Sequence, residues 1–107
     1  MILDLVVEAV EIKLGFENFT GILQSNYECA YALGKMMHLL GMPSEEGIVC
    51  ERLGQLRQQT VEKMETYEPR DEAETNLMKL LKEYRMQSQD GEELQLLYER
   101  GYESIKA

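Results

Sequence analysis

Apolar positions recur with helical spacing in five blocks, separated by short polar breaks. In the first block, Ile2–Gly15, one apolar stripe comprises Leu3, Val6, Val7, Val10 and Leu14, while Asp4, Glu8 and Glu11 share a polar face. A second row (Ile2, Leu5, Ala9, Ile12) widens the stripe and predicts a helix packed on two neighbours. Residues 10, 12, 14 and 16 also alternate, and β-branched side chains suit a strand over Val10–Phe16. Helix is the better expectation, because no second strand candidate exists to pair with those backbone groups.

The second block lies between Thr20 and Ser44 and is apolar on nearly all sides. Asn26, Glu28, Lys35 and His38 interrupt it, so it falls short of the roughly 18 uninterrupted apolar residues of a membrane span. Such a helix belongs at the centre of a small bundle. Asn18 or Thr20 is the expected N-cap, Gly41 ends the helix in the left-handed conformation, and Pro43 prevents its continuation. Ser44 is then placed to cap a third helix over Glu45–Tyr67, with an inner stripe of Val49, Leu53, Leu56, Thr60, Met64 and Tyr67. A tight turn between two long helices predicts an antiparallel helix 2/helix 3 hairpin. After Pro69, Asp71 with Glu74 opens a fourth helix bearing Ala73, Leu77, Leu80, Leu81 and Tyr84. Asp90 repeats that logic for a fifth, with Leu94, Leu97, Tyr98, Tyr102 and Ile105. The expected fold is all-α: a compact four- to five-helix bundle in a single domain over 1–107. Helices 1 to 3 form the expected core, and helices 4 and 5 close it and fray more easily.

Charge narrows the range of partners. The net charge is −9, with 8 acidic against 3 basic residues in 1–54 and 12 against 8 in 55–107. Neither half is basic, which argues against nucleic-acid binding. Asp4, Glu8 and Glu11 break the N-terminal apolar run, and it lacks a basic leader, so it does not read as a signal peptide. The two cysteines, Cys29 and Cys50, are no disulfide framework, and both are expected as thiols in a reducing cytoplasm. In an antiparallel hairpin they would sit on the order of 9 Å apart along the axis, too far for a bridge or a shared metal.

Catalytic patterns are sparse. His38 is the sole histidine, and Lys35 stands where a Glu-x-x-His metal motif needs its glutamate. Glu28 is the only carboxylate near an apolar setting. The glycines are scattered and form no phosphate loop, and no nucleophile motif occurs. Neither a cofactor nor a metal is expected, and the chain reads as a non-enzyme.

Two groups remain as candidate contact residues. Tyr27, Tyr31, Met36, Met37, His38 and Met64 are of the types found at adaptable interfaces or lining a ligand pocket. Lys79, Lys82 and Arg85 form a basic stripe at i, i+3, i+6 on helix 4, suited to an acidic partner. Ala30 and Gly34, with Gly54 and Gly101, mark places where another helix can come close. Helices 1 and 2 carry more apolar surface than so small a chain easily covers. The leading expectation is therefore a protein-interaction or regulatory module that self-associates as a homodimer. The alternative is a small-ligand-binding bundle with a Met/Tyr-lined interior.

Overall fold

A computed structural model describes residues 2–88 and 91–105. The described residues form five α-helices and no strand: α1 (Ile2–Gly15), α2 (Asn26–Leu39), α3 (Cys50–Lys63), α4 (Glu72–Glu83) and α5 (Glu93–Glu103), with a 3-10 turn at Met64–Thr66 after α3. The all-α bundle is thus what forms, and α1 is helical through residues 10–15, as the lack of a pairing strand implied.

Helix starts differ from the expected ones. α2 begins at Asn26, not near Thr20, because Ser25 is the N-cap and its side chain accepts from the Glu28 amide. Asn18 instead takes a positive φ of 54° in the connection from α1, and its amide donates to Glu72 at 3.0 Å. Gly41 does end the α2 region at φ 73°. Ser44 does not cap α3. The chain stays non-helical through Gly47, at φ 70°, and α3 starts at Cys50 behind Val49, which makes no side-chain cap bond. Asp71 caps α4 as expected, accepting from the Glu74 amide at 2.9 Å. The Asp90 cap lies outside the described residues.

These starts alter the topology. The ten residues between α2 and α3 run back along α5: Tyr102 Oη donates to the Met42 carbonyl at 2.5 Å, the Glu45 amide to Tyr98 Oη at 3.1 Å, and the Ile48 amide to Gln95 at 2.9 Å. α3 therefore begins beside the start of α2, where Asn26 Nδ2 donates to Cys50 Sγ at 3.3 Å. Further on, Thr60 meets Met42, the residue beyond the end of α2. The two helices pack together in the same sense, so the antiparallel pairing expected of them is replaced by a return loop. The antiparallel hairpin is α3/α4 instead: Tyr67 donates to Glu74 at 2.6 Å near the turn, and the Arg57 guanidinium caps the Leu81 and Lys82 carbonyls further along.

The core centres on α2, where every residue from Glu28 to Met37 is buried. Its main neighbour is α5, not α3, so α5 belongs to the centre of the bundle. The cause is a pair of glycines. A Cβ on Gly34 would lie under 3.0 Å from backbone atoms of Tyr98 and Tyr102, and one on Gly101 would collide with the Tyr31 backbone. Only glycine allows two helices this close. α1 lies across α2, α4 and α5 and buries Leu3, Val10 and Leu14.

Candidate interaction surface

The inner side of α1 is fixed by ion pairs as well as by packing. Lys13 pairs with Glu28, whose Oε1 also accepts from the Gln24 amide at 3.2 Å. Lys35 pairs with Glu11 at 2.8 Å and lies over the Tyr31 ring, while the Tyr31 hydroxyl donates to the same Glu11. Burial, reinforced by that hydrogen bond, pushes the Tyr31 phenol above its ordinary range. Asp4 reaches Arg100 on α5 at 3.0 Å.

The outer side of α1 is apolar and uncovered. Ile2 is 68 % exposed, Leu5 65 % and Ile12 51 %, and Phe16, which directly follows the helix, is 53 % exposed. With half-buried Ala9 they lie at positions 2, 5, 9, 12 and 16, the spacing of one helical face. The second apolar row therefore does not pack on a neighbour within the chain. A contiguous patch of this kind marks a contact surface more often than scattered exposed side chains do. Along one edge run Asp4, Glu8 and Glu11. Beyond the other, near the start of α1, an apolar cavity of about 130 Å³ opens between α1, α2 and α5, lined by Ile2, Leu3, Val6, Tyr27, Glu93 and Leu97.

The residues singled out in the sequence are not gathered at one site. Met36, Met37 and Met64 are 0–1 % exposed and fill the core. Tyr31 is buried and bonded to Glu11. His38 Nδ1 lies 2.5 Å from the Tyr102 carbonyl, with its ring tilted over the Tyr102 ring at 4.7 Å. Tyr27 alone of the six reaches the outer cavity. The basic stripe is also divided. Lys79 Nζ is tied to the Phe19 carbonyl at 3.0 Å, Lys82 is exposed, and Arg85 lies beyond the end of α4. What the sequence reading missed is the outward aim of Leu5 and Ile12. The available signal was that their row lies well around the helix from Leu3, Val10 and Leu14.

A second polar feature lies at the opposite side of α2. Asn26 is 1 % exposed; its Oδ1 accepts from the Tyr84 hydroxyl and the Gln87 amide, and its Nδ2 donates to the Gln87 carbonyl at 2.8 Å and to Cys50 Sγ. Cys29, one turn further along α2, is fully buried, and burial pushes its thiol up to about 12. Burial likewise raises the Tyr84 phenol. A buried thiol and a hydrogen-bonded phenol held in their protonated forms serve this node as packing and hydrogen-bonding groups. This node ties the first turns of α2 and α3 to the segment after α4. Among the described residues no group of three His, Cys, Asp or Glu side chains is placed to hold a metal ion. No helix among them is long and apolar enough to cross a membrane.

Residues 1–105 match the family described as domain of unknown function DUF3837. The chain belongs to that family. No curated protein and no solved structure matches this DUF3837 chain.

Proposed function

We propose that this DUF3837 chain is a non-enzymatic protein-interaction module that self-associates through the outer face of α1. The observation that carries the reading is the uncovered row Ile2, Leu5, Ala9, Ile12 and Phe16, four of its members more than half exposed. A soluble chain that leaves such a row to water loses the burial free energy of several large side chains, roughly 1.5–3 kcal/mol each. A second copy recovers it. The small Ala9 at mid-row lets another helix approach closely, and a two-fold pair uses the same patch on both copies. A non-enzymatic role is supported by the engagement of both catalytic candidates: Lys13 holds Glu28, and His38 Nδ1 is in hydrogen-bond contact with the Tyr102 carbonyl. A ligand site in the Met/Tyr interior gains no support from residues as tightly packed as Met36, Met37 and Met64. The reduced cysteines suit a reducing compartment such as the cytoplasm.

Sedimentation equilibrium over a concentration series tests this. The expected outcome is a dimer whose population grows with concentration and also with salt, because salt screens the repulsion between two chains of net charge −9. The Leu5→Glu/Ile12→Glu variant is expected to stay monomeric with an unchanged Tm. A wild-type monomer at every concentration and salt would overturn the reading. An affinity for a basic partner, falling with salt, would replace it.

A further inference from the structure

The exposed Phe16 and the apolar cavity lie toward opposite ends of α1, with Ile2 of the row bordering the cavity. Ile2, which borders the cavity, stands seven positions before Ala9, and Phe16 stands seven after it. Leu5 and Ile12 lie four before and three after. The row is thus nearly palindromic about Ala9. An antiparallel two-fold pair centred on that alanine places Phe16 of each copy over Ile2 of the other. The size also fits: an apolar cavity of roughly 150 Å³ takes up a benzene ring, and this one is about 130 Å³. Phe16 is 53 % exposed, and its ring stacks on Phe19 with centroids 5.9 Å apart.

Resting on the self-association reading, we infer that the second copy docks antiparallel, with Phe16 of each chain seated in the partner's α1/α5 cavity against Leu3, Val6 and Leu97. Two identical knobs and holes close at two copies and leave no free end for further addition. The area sets the strength. Four exposed side chains offer on the order of 400 Å² per copy, so the pair buries on the order of 800 Å², the range of a weak, reversible contact. Charge sets a second condition. An antiparallel two-fold pair turns each helix edge toward the same edge of its partner. The edge that bears Glu8 therefore faces its own copy; Asp4 and Glu11 on that edge are held in ion pairs with Arg100 and Lys35, and Glu8 lies nearest the centre. Repulsion there keeps the pair weak at low salt.

Directed cross-linking of the full chain in a Cys50→Ser background tests the docking, with Cys29 buried and out of reach. An Ile2→Cys chain and a Phe16→Cys chain, each capable of dimerising, are mixed under oxidised glutathione. The expected product is a covalent Ile2→Cys/Phe16→Cys heterodimer, with little cross-linking of either chain to itself. Self-linked Ile2→Cys would show a parallel pair and overturn the inference. A persistent dimer without the mixed cross-link would also overturn it while leaving self-association standing, and absence of any dimer would overturn both. As a second readout, Val6→Phe, which fills the cavity from within, and Phe16→Ala are each expected to weaken dimerisation about tenfold without lowering Tm. Unchanged dimerisation in both would contradict the seating of Phe16.

Discussion

The crossing of α2 and α5 and the outer face of α1 are both lined by apolar residues, yet one is sealed and the other open. At the crossing, Gly34 and Gly101 remove the side chains that would hold the helices apart, and Leu33, Met37, Leu94, Leu97 and Tyr98 pack around the contact to within 1 % of full burial. On α1, Leu3, Val10 and Leu14 go inward, and the ion pairs Lys13–Glu28 and Lys35–Glu11 fix the helix in that rotation. That rotation leaves Ile2, Leu5 and Ile12 facing water. The difference teaches that apolar content alone does not mark the core. Small residues that permit close approach, and charges that lock a helix's rotation, decide which apolar face is used within the chain.

The largest effect is expected at the crossing. Gly34→Val puts a side chain into the Tyr98–Tyr102 backbone, which no rotamer change relieves. A loss on the order of 3–5 kcal/mol is expected, visible as a fall in Tm of about 15 °C. A variant with unchanged Tm would show that the helices do not pack this closely.

High pH should act next on the same side of the contrast. Burial raises the Cys29 thiol to about 12 and holds the Tyr31 and Tyr84 phenols above their ordinary range. The unfolded chain therefore releases these protons first as pH rises. The Cys29 contribution is complete below the ordinary thiol range and is lost progressively from there toward about 12, and the phenols add to the loss above their own ordinary range, so stability should fall by at least about 2–3 kcal/mol between pH 9 and pH 11. Urea unfolding at the two values measures it, and a flat profile would contradict full burial of Cys29.

A smaller loss, about 2 kcal/mol, is expected from Asn26→Ala, which strands the Tyr84 hydroxyl and the Gln87 backbone groups. Chemical denaturation checks it, and a neutral result would mean that water replaces the amide.

The smallest stability effect belongs to α1. Leu5→Glu with Ile12→Glu should change stability by no more than about 0.5 kcal/mol, because both side chains already face solvent. A large loss of Tm in the monomer would show that the row is packed inward after all.

Much of this was legible in the residues. α1 was readable to its bounds, since its period is unbroken, and so was the Asp71 cap, whose oxygen meets the Glu74 amide as the spacing implies. The Gly34 and Gly101 contacts were visible as small residues in apolar helices, though not that they face each other. The start of α2 was misread because Ile22 and Leu23 continue the apolar run outside the helix, while the Ser25–Glu28 cap signal lay inside it. The start of α3 was misread because Glu45 and Glu46 suit a helix N-terminus, whereas Gly47 at φ 70° keeps the segment open. Those errors together produced the expected antiparallel pairing of helices 2 and 3. They also set Cys50 away from the start of α2, whereas Asn26 in the first turn of α2 donates to its Sγ. The outward aim of the second α1 row depends on rotation, which Lys13 and Lys35 set through residues distant in sequence. Periodicity along one segment separates the two rows but does not say which of them faces the core.

The most direct test of the outer face of α1 as a contact surface is amide chemical-shift mapping of the wild-type chain on dilution. The account predicts concentration-dependent shifts concentrated in residues 2–16 and at the cavity residues Tyr27 and Leu97, with Gly34 and Gly101 at the α2/α5 contact unmoved. Spectra that do not change with concentration, or changes centred on another face of the bundle, would contradict it.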